Sequence, residues 1–88
     1  MKTYSLTVSS PAGDLFRGDV VMLSLRAEMG DLAVMAGHVP FVTAVRPCDC
    51  HIELEDGTVK VGHTDGGILT VGKEKVTLLS GSFSFLET

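Results

Sequence analysis

Residues 48–61 read CDCHIELEDGTVKV, and this stretch decides the fold class. Apolar and polar side chains alternate along its first half, as in a β-strand with one face buried and the other in solvent. The apolar face carries Cys48, Cys50, Ile52 and Leu54, and the polar face carries Asp49, His51, Glu53 and Glu55. Asp56-Gly57 is a strong hairpin signal, after which the chain returns with Val59 and Val61 directed inward. The stretch predicts an antiparallel β-hairpin.

The same period-2 pattern extends over most of the chain. Tyr4, Leu6 and Val8 alternate with hydroxyl residues and predict a first strand, which ends at a turn over 11–14. A second run resumes after Gly18-Asp19, with Val21, Leu23 and Leu25 on one face and Val20, Met22 and Ser24 on the other. Further runs lie at 32–35, 41–45, 68–71, 76–79 and 83–86, separated by turns. Eight to ten short strands at this spacing predict an all-β sandwich or flattened barrel.

Composition narrows the class of protein. The 88 residues fit one domain, and 44% of them are hydrophobic, which favours a folded core over a disordered chain. The net charge is −4 and Lys and Arg do not cluster, which argues against nucleic acid and against direct binding to anionic lipid. No apolar run approaches the ~20 residues of a membrane span, and the N-terminus lacks a signal-peptide pattern. We therefore expect a soluble, cytoplasmic chain.

The two cysteines raise the question of a metal site. Residues two apart on a strand lie ~6.5 Å from each other, so Cys48 and Cys50 are expected to stay reduced and unbridged. With His38 or His63 they could supply metal ligands, but zinc sites favour a Cys-x₂₋₄-Cys spacing, and His51 points to the other face. A free-standing β-sandwich binding module, with metal held through Cys48, Cys50 and a histidine, stays open as one hypothesis.

Signals for catalysis are weak. A cysteine on an apolar strand face has a raised pKa and little access to substrate, so Cys50 is a poor nucleophile. Gly66-Gly67 is too short to hold a phosphate, and no helix follows it. An enzyme that uses the acidic strand face of Asp49, Glu53 and Glu55 is a further hypothesis. Binding through exposed turns is favoured instead, and the turn residues of interest are Glu28, Met29, Asp31, His38, Val39 and Pro40.

Residues 28–47, EMGDLAVMAGHVPFVTAVRP, resemble the signature block of the epsilon subunit of F-type ATP synthases, which contains P-G-H-x-P and ends in [KR]-P-G. The resemblance continues in LTVSSPAGDLFRG (6–18), GGILTV (66–71) and KVTLL (75–79), and it spans residues 3–85 in the family's order. Two departures, Ala36 for the usual proline and Cys48 for the usual glycine, affect turn geometry.

The resemblance implies a ten-stranded sandwich of two antiparallel sheets and a non-catalytic rotor subunit without a cofactor. Such a subunit lies in the central stalk, on the cytoplasmic face of a bacterial-type energy-coupling membrane, and reaches the membrane only through the complex. The implied contact with the c-ring loops is made by Glu28, Met29, Gly30 and Asp31. The implied contact with the gamma subunit is made by His38, Val39, Pro40, Phe41 and Thr43.

Members of this family usually continue into a C-terminal pair of helices, whereas the sequence here stops at Thr88. We therefore expect a single β-sandwich domain over 1–88 without the helical pair, as either a naturally short form or a trimmed chain. Helix-mediated inhibition and nucleotide binding are not expected of it.

Overall fold

The computed structural model describes residues 2–86, and that range contains strands, turns and loops without a helix. Nine strands follow in chain order: β1 (Tyr4–Ser10), β2 (Gly13–Ala27), β3 (Gly30–Met35), β4 (Phe41–Val45), β5 (Cys48–Leu54), β6 (Val59–Thr64), β7 (Gly67–Val71), β8 (Lys75–Ser80) and β9 (Phe83–Phe85). The all-β prediction is confirmed, with nine strands in this range instead of ten. One reason is that Gly18-Asp19 does not interrupt β2, which runs through it for 15 residues.

No helix long and apolar enough to cross a membrane occurs among residues 2–86. Thr88, the last residue of the expected single domain, lies outside the described residues, and the domain limits stay a prediction.

The strands form one mixed sheet that folds over into the two layers of a sandwich. Their order is β1-β8-β7-β4-β2-β5-β6-β9, with β3 beside β2 and an additional β1–β2 ladder. The first half of β2 pairs with β1 and its second half pairs with β3 and β5, so β2 contributes to both layers. The β1–β8 ladder is parallel, from Ser5↔Lys75 to Ser9↔Leu79, and the prediction of purely antiparallel sheets is wrong there.

Both layers contribute side chains to one hydrophobic core. The fully buried apolar residues include Leu6, Val8, Val20, Leu23, Ile52, Leu69, Val76 and Leu78. Because these residues alternate with exposed ones along β5, β7 and β8, each strand has one face in the core and one outside. Close packing of this kind makes the two layers a stiff body.

A β-bulge changes the inward face of β2. Its pairing with β5 shifts between Val20, which lies opposite Leu54, and Met22, which lies opposite Glu53. The extra residue reverses the alternation, so both Val20 and Leu23 are fully buried. The prediction that Val20 and Leu23 occupy opposite faces is therefore wrong.

The β5–β6 hairpin has the predicted strands but a different register. A two-residue Asp56-Gly57 loop would place Leu54 opposite Val59, whereas the structure pairs Glu53 with Val59. A shift of one residue exchanges the two faces of a strand. Val59 is consequently 50% exposed and Val61 is only half-buried, which corrects the prediction that both point inward. Gly62 and Thr64 are the buried residues of β6.

Candidate functional site

The cysteines do not form a reactive centre. Both are free thiols, and β5 directs Cys50 fully into the core. Burial, reinforced by the nearby Cys48 and Asp49, raises the pKa of Cys50 to about 12, so its thiol stays protonated at neutral pH. The half-buried Cys48 accepts a hydrogen bond from the backbone N–H of Arg26 at 3.3 Å.

The histidines do not join the cysteines. His51 is exposed on the outer side of β5, and His63 lies 2.9 Å from Asp49, measured from Nδ1 to Oδ1. Among residues 2–86, no three His, Cys, Asp or Glu side chains are arranged to hold a metal ion. The hypothesis of a metal-binding module thus lacks a ligand set in the described part of the chain.

The four residues expected to meet the c-ring lie at the β2–β3 turn, where Glu28 and Met29 form the turn and Gly30 and Asp31 begin β3. Met29 is 96% exposed, and Gly30 adopts a φ of 130°, a conformation that L side chains rarely adopt. The turn is attached to the neighbouring strand by a hydrogen bond of 3.0 Å from the Glu28 N–H to the Ala44 carbonyl. Asp31 accepts a hydrogen bond of 3.2 Å from Nε of Arg26. Glu28 and Asp31 place two carboxylates at this end of the domain, and Arg26 and Arg46 lie beside them.

A buried network of hydroxyl groups stiffens the same end of the domain. The hydroxyls of Thr64 and Ser80 lie 2.6 Å apart, and that of Ser80 donates to the carbonyl of Ser82 at 2.7 Å. Asp65 accepts a hydrogen bond of 2.9 Å from the Ser82 N–H. Because these bonds join the β6–β7 turn to the β8–β9 turn, the two loops are held together. Alternating apolar and polar residues carry no signal for such a network.

His38 is directed into the protein, where both of its ring nitrogens meet backbone carbonyls. Nδ1 lies 2.6 Å from the Met35 oxygen and Nε2 lies 2.7 Å from the Gly72 oxygen. The edge of the Tyr4 ring completes the site at a centroid distance of 5.2 Å. The imidazole therefore connects the end of β3 to the β7–β8 turn.

The other four residues expected to contact gamma lie in two environments. Val39 is 76% exposed, and Pro40 and Phe41 are exposed beside it. Thr43 is half-buried, and its partner across the ladder is the fully buried Leu69. The outward residue of this part of β4 is Val42, which is 66% exposed and which the resemblance does not single out.

Val42 belongs to a charge-free surface on the outside of one layer. Its members are Val42, Ala44, Ile68, Thr70, Thr77 and Leu79, and we name it the β4–β8 face. Ala44, Ile68 and Leu79 lie side by side in register, with Ile68 44% and Leu79 52% exposed. An apolar centre bordered by threonines is typical of a protein contact surface. Its signal in the sequence is the alternation along β4, β7 and β8.

Comparisons with known proteins agree on one family. The family model described as "ATP synthase, Delta/Epsilon chain, beta-sandwich domain" matches residues 3–85. The ATP synthase epsilon chain of Bacillus pumilus is 35% identical over 80 residues, covering 91% of this chain and 60% of the relative. That of Bacillus thuringiensis is 34% identical over 87 residues, covering 93% and 61%. The chain thus spans about 60% of the length of these relatives.

Solved structures share the fold at lower identity. A chain in the cryo-EM structure of the Euglena gracilis mitochondrial ATP synthase (OSCP/F1/c-ring) superposes with a TM-score of 0.89 at 21% identity, covering 94% of this chain and 53% of that one. A chain in the central stalk/c-ring structure of the Tetrahymena thermophila mitochondrial ATP synthase gives 0.76 at 12%, covering 91% and 64%. With the match over residues 3–85, the chain belongs to the β-sandwich domain family of ATP synthase delta and epsilon chains.

Proposed function

We propose that the chain is a non-catalytic rotor subunit of an F-type ATP synthase, linking the gamma subunit to the c-ring loops and coupling ion translocation to ATP synthesis. The observation that carries the proposal is the separation of two contact regions on one stiff domain. The turn over 28–29 precedes β3 and the loop over 36–40 follows it. The two regions are therefore about 17 Å apart along a strand of this length.

The gamma contact is assigned to the exposed residues Val39, Pro40 and Phe41 together with the β4–β8 face. His38 and Thr43 support this region from within, because the ring of His38 anchors the loop and Thr43 packs beside Leu69. Burial of a half-exposed Ile68 or Leu79 contributes about 1 kcal/mol each, since complete burial of such side chains contributes about 1.5–3 kcal/mol. Apolar burial therefore supplies most of the affinity for gamma.

The c-ring contact is assigned to Glu28, Met29, Gly30 and Asp31. Their acidity suits polar loops that carry arginine or lysine, and exposed ion pairs contribute about 0–1 kcal/mol each. Such ion pairs fix the orientation of the subunit on the c-ring loops more than they increase its affinity for them. The subunit needs no cofactor for this role and lies peripherally, on the cytoplasmic face of a bacterial-type energy-coupling membrane, held there by its partners.

Gamma binding tests the proposal. Ile68→Glu places a carboxylate in the centre of the β4–β8 face and is expected to raise the Kd for purified gamma at least about tenfold, because an unpaired charge would be buried. Val59→Glu is the matched control, since Val59 is 50% exposed on the other layer. Calorimetric titration measures both, after circular dichroism has verified the folds.

Two results would overturn the proposal. One is the absence of any binding between the wild-type chain and gamma. The other is equal binding by Ile68→Glu and Val59→Glu, which would remove the β4–β8 face from the contact.

A further inference from the structure

Two arginines lie beside the carboxylates of the β2–β3 turn. Arg26 precedes the turn on β2, and its Nε donates to Oδ1 of Asp31 at 3.2 Å. Arg46 follows β4, and its N–H donates to the Arg26 carbonyl at 2.9 Å, so the two arginines are neighbours across adjacent strands. The N–H of Glu28 donates to the Ala44 carbonyl of the same strand. We name the four charged residues the bipolar tip: Arg26, Glu28, Asp31 and Arg46.

The bipolar tip carries charges of both signs in equal number. Arg26 and Arg46 balance Glu28 and Asp31, so the formal charge of the tip is zero. All four residues are exposed, with 62% of the Arg26 side chain and 84% of the Asp31 side chain accessible. A partner that approaches this end of the domain therefore meets guanidinium groups as well as carboxylates.

The neighbouring arginines are unfavourable for the domain by itself. Like charges on opposed residues of adjacent strands destabilise a sheet. Asp31 compensates Arg26 through their hydrogen bond, whereas Arg46 and Glu28 lie on opposite sides of the Ala27–Val45 pair. An anion brought to Arg46 by a partner would offset this repulsion, and the arrangement favours a carboxylate at that position.

A groove begins at the bipolar tip and gives a loop of the partner room to enter. Near the tip it is lined by Arg26, Asp31, Pro47 and Cys48, and Pro47 directly follows Arg46 in the chain. The groove continues along the outside of the layer that contains β2, β3 and β5. A convex loop that enters it contacts Arg26 and passes next to Arg46.

We propose that the bipolar tip recognises a c-ring loop that carries a carboxylate as well as a basic residue, with the carboxylate bound by Arg26 and Arg46 and the basic residue by Glu28. The inference rests on the proposed function and deepens it, because it names the chemistry of the loop. Charge complementarity supports it, since a loop with basic groups alone would be repelled by two guanidinium groups. Arg46 is then a specificity-determining residue, because a guanidinium binds a carboxylate through two parallel hydrogen bonds.

Charge reversal at both signs tests the inference. The Kd of the chain is measured for purified gamma alone and for a subcomplex of gamma with the c-ring, at low ionic strength, where exposed charges are weakly screened. Glu28→Lys and Arg46→Glu are each expected to raise the Kd for the subcomplex about threefold to tenfold, because each variant places a like charge against the loop. Neither should change the Kd for gamma alone. A purely acidic contact predicts instead that Arg46→Glu binds more tightly.

Lys60→Glu is the matched control, since it makes the same change of charge at an exposed residue of β6. Circular dichroism verifies that each variant is folded. The inference is overturned if Arg46→Glu binds the subcomplex as tightly as the wild-type chain or more tightly, if Lys60→Glu loses as much affinity, or if the c-ring loop of the same organism carries no carboxylate. If the wild-type chain binds the subcomplex no more tightly than gamma alone, the c-ring contact of the proposed function fails as well.

Discussion

Cys48 and Cys50 share one face of β5 but differ in chemistry because of depth. Cys48 is half-buried next to Arg26, whereas Cys50 is fully buried. Because burial raises the pKa of Cys50 to about 12, its thiol is protonated at neutral pH. The alternation along 48–54 was sufficient to predict this face. The alternation could not predict that Cys50 is more deeply buried than Cys48, because burial depends on which other elements pack against each residue.

A thiol titration of the native protein checks this difference. Cys48 is expected to react with an Ellman-type reagent, while Cys50 reacts only as fast as the protein unfolds. Cys48→Ser should remove the fast phase and leave the slow one, and urea should release the second thiol. Two equally fast thiols in the folded wild-type protein would contradict the burial of Cys50.

At the scale of elements, two glycines allow strands to approach each other closely. A Cβ on Gly62 would lie 2.3 Å from Cζ of Phe83, whose ring covers this part of β6. A Cβ on Gly67 would lie 1.9 Å from the backbone oxygen of Leu79 on the neighbouring β8. Both positions follow from the registers of the β6–β9 and β7–β8 ladders. A glycine in a strand signals a close approach, but the sequence does not say to what.

Alanine substitution at these glycines should lower the free energy of unfolding by different amounts. Gly67→Ala is expected to destabilise most, by about 3 kcal/mol or more, since backbone cannot yield easily, and Gly62→Ala by about 1–3 kcal/mol, because a buried ring must move. Gly18→Ala is the matched control, since its nearest contact would be an ordinary 3.6 Å from Phe16. Urea denaturation measures all three, and a Gly18→Ala loss as large as that of Gly67→Ala would refute the ranking.

At the scale of the whole molecule, the two proposed contact regions lie apart from each other on one domain. The domain is about equally wide in two directions, with principal extents of 30 × 29 × 24 Å, and its core runs through both layers. The β2–β3 turn and the loop that contains Val39 lie at opposite ends of β3. A close-packed body of this kind would transmit force between the two proposed contact regions without bending.

Cross-linking in an assembled ATP synthase tests this separation. In a Cys48→Ser background, Asp31→Cys is expected to form a disulfide with a cysteine placed in a c-ring loop, whereas Val39→Cys is not. Val39→Cys should instead cross-link to gamma. If Asp31→Cys gives no product with the c-ring in a complex that synthesises ATP, or if both variants give the same products, the two contact regions are assigned wrongly.

The sequence by itself determined the all-β class, most strand positions, the orientation of Cys48–Leu54 and the family, because these depend on local alternation, turn residues and a nearly continuous motif. The tertiary structure decided which residues of β6, and of β2 around Val20, face the core. In β6 a hairpin loop one residue longer exchanges the two faces, and in β2 a single bulge does so. Neither change alters the order of apolar and polar residues in the sequence. The tertiary structure also decided that His38 turns inward to Gly72, a residue 34 positions away. Such a contact forms only when β3 and the β7–β8 turn are brought together by the fold, and local sequence carries no record of that distance.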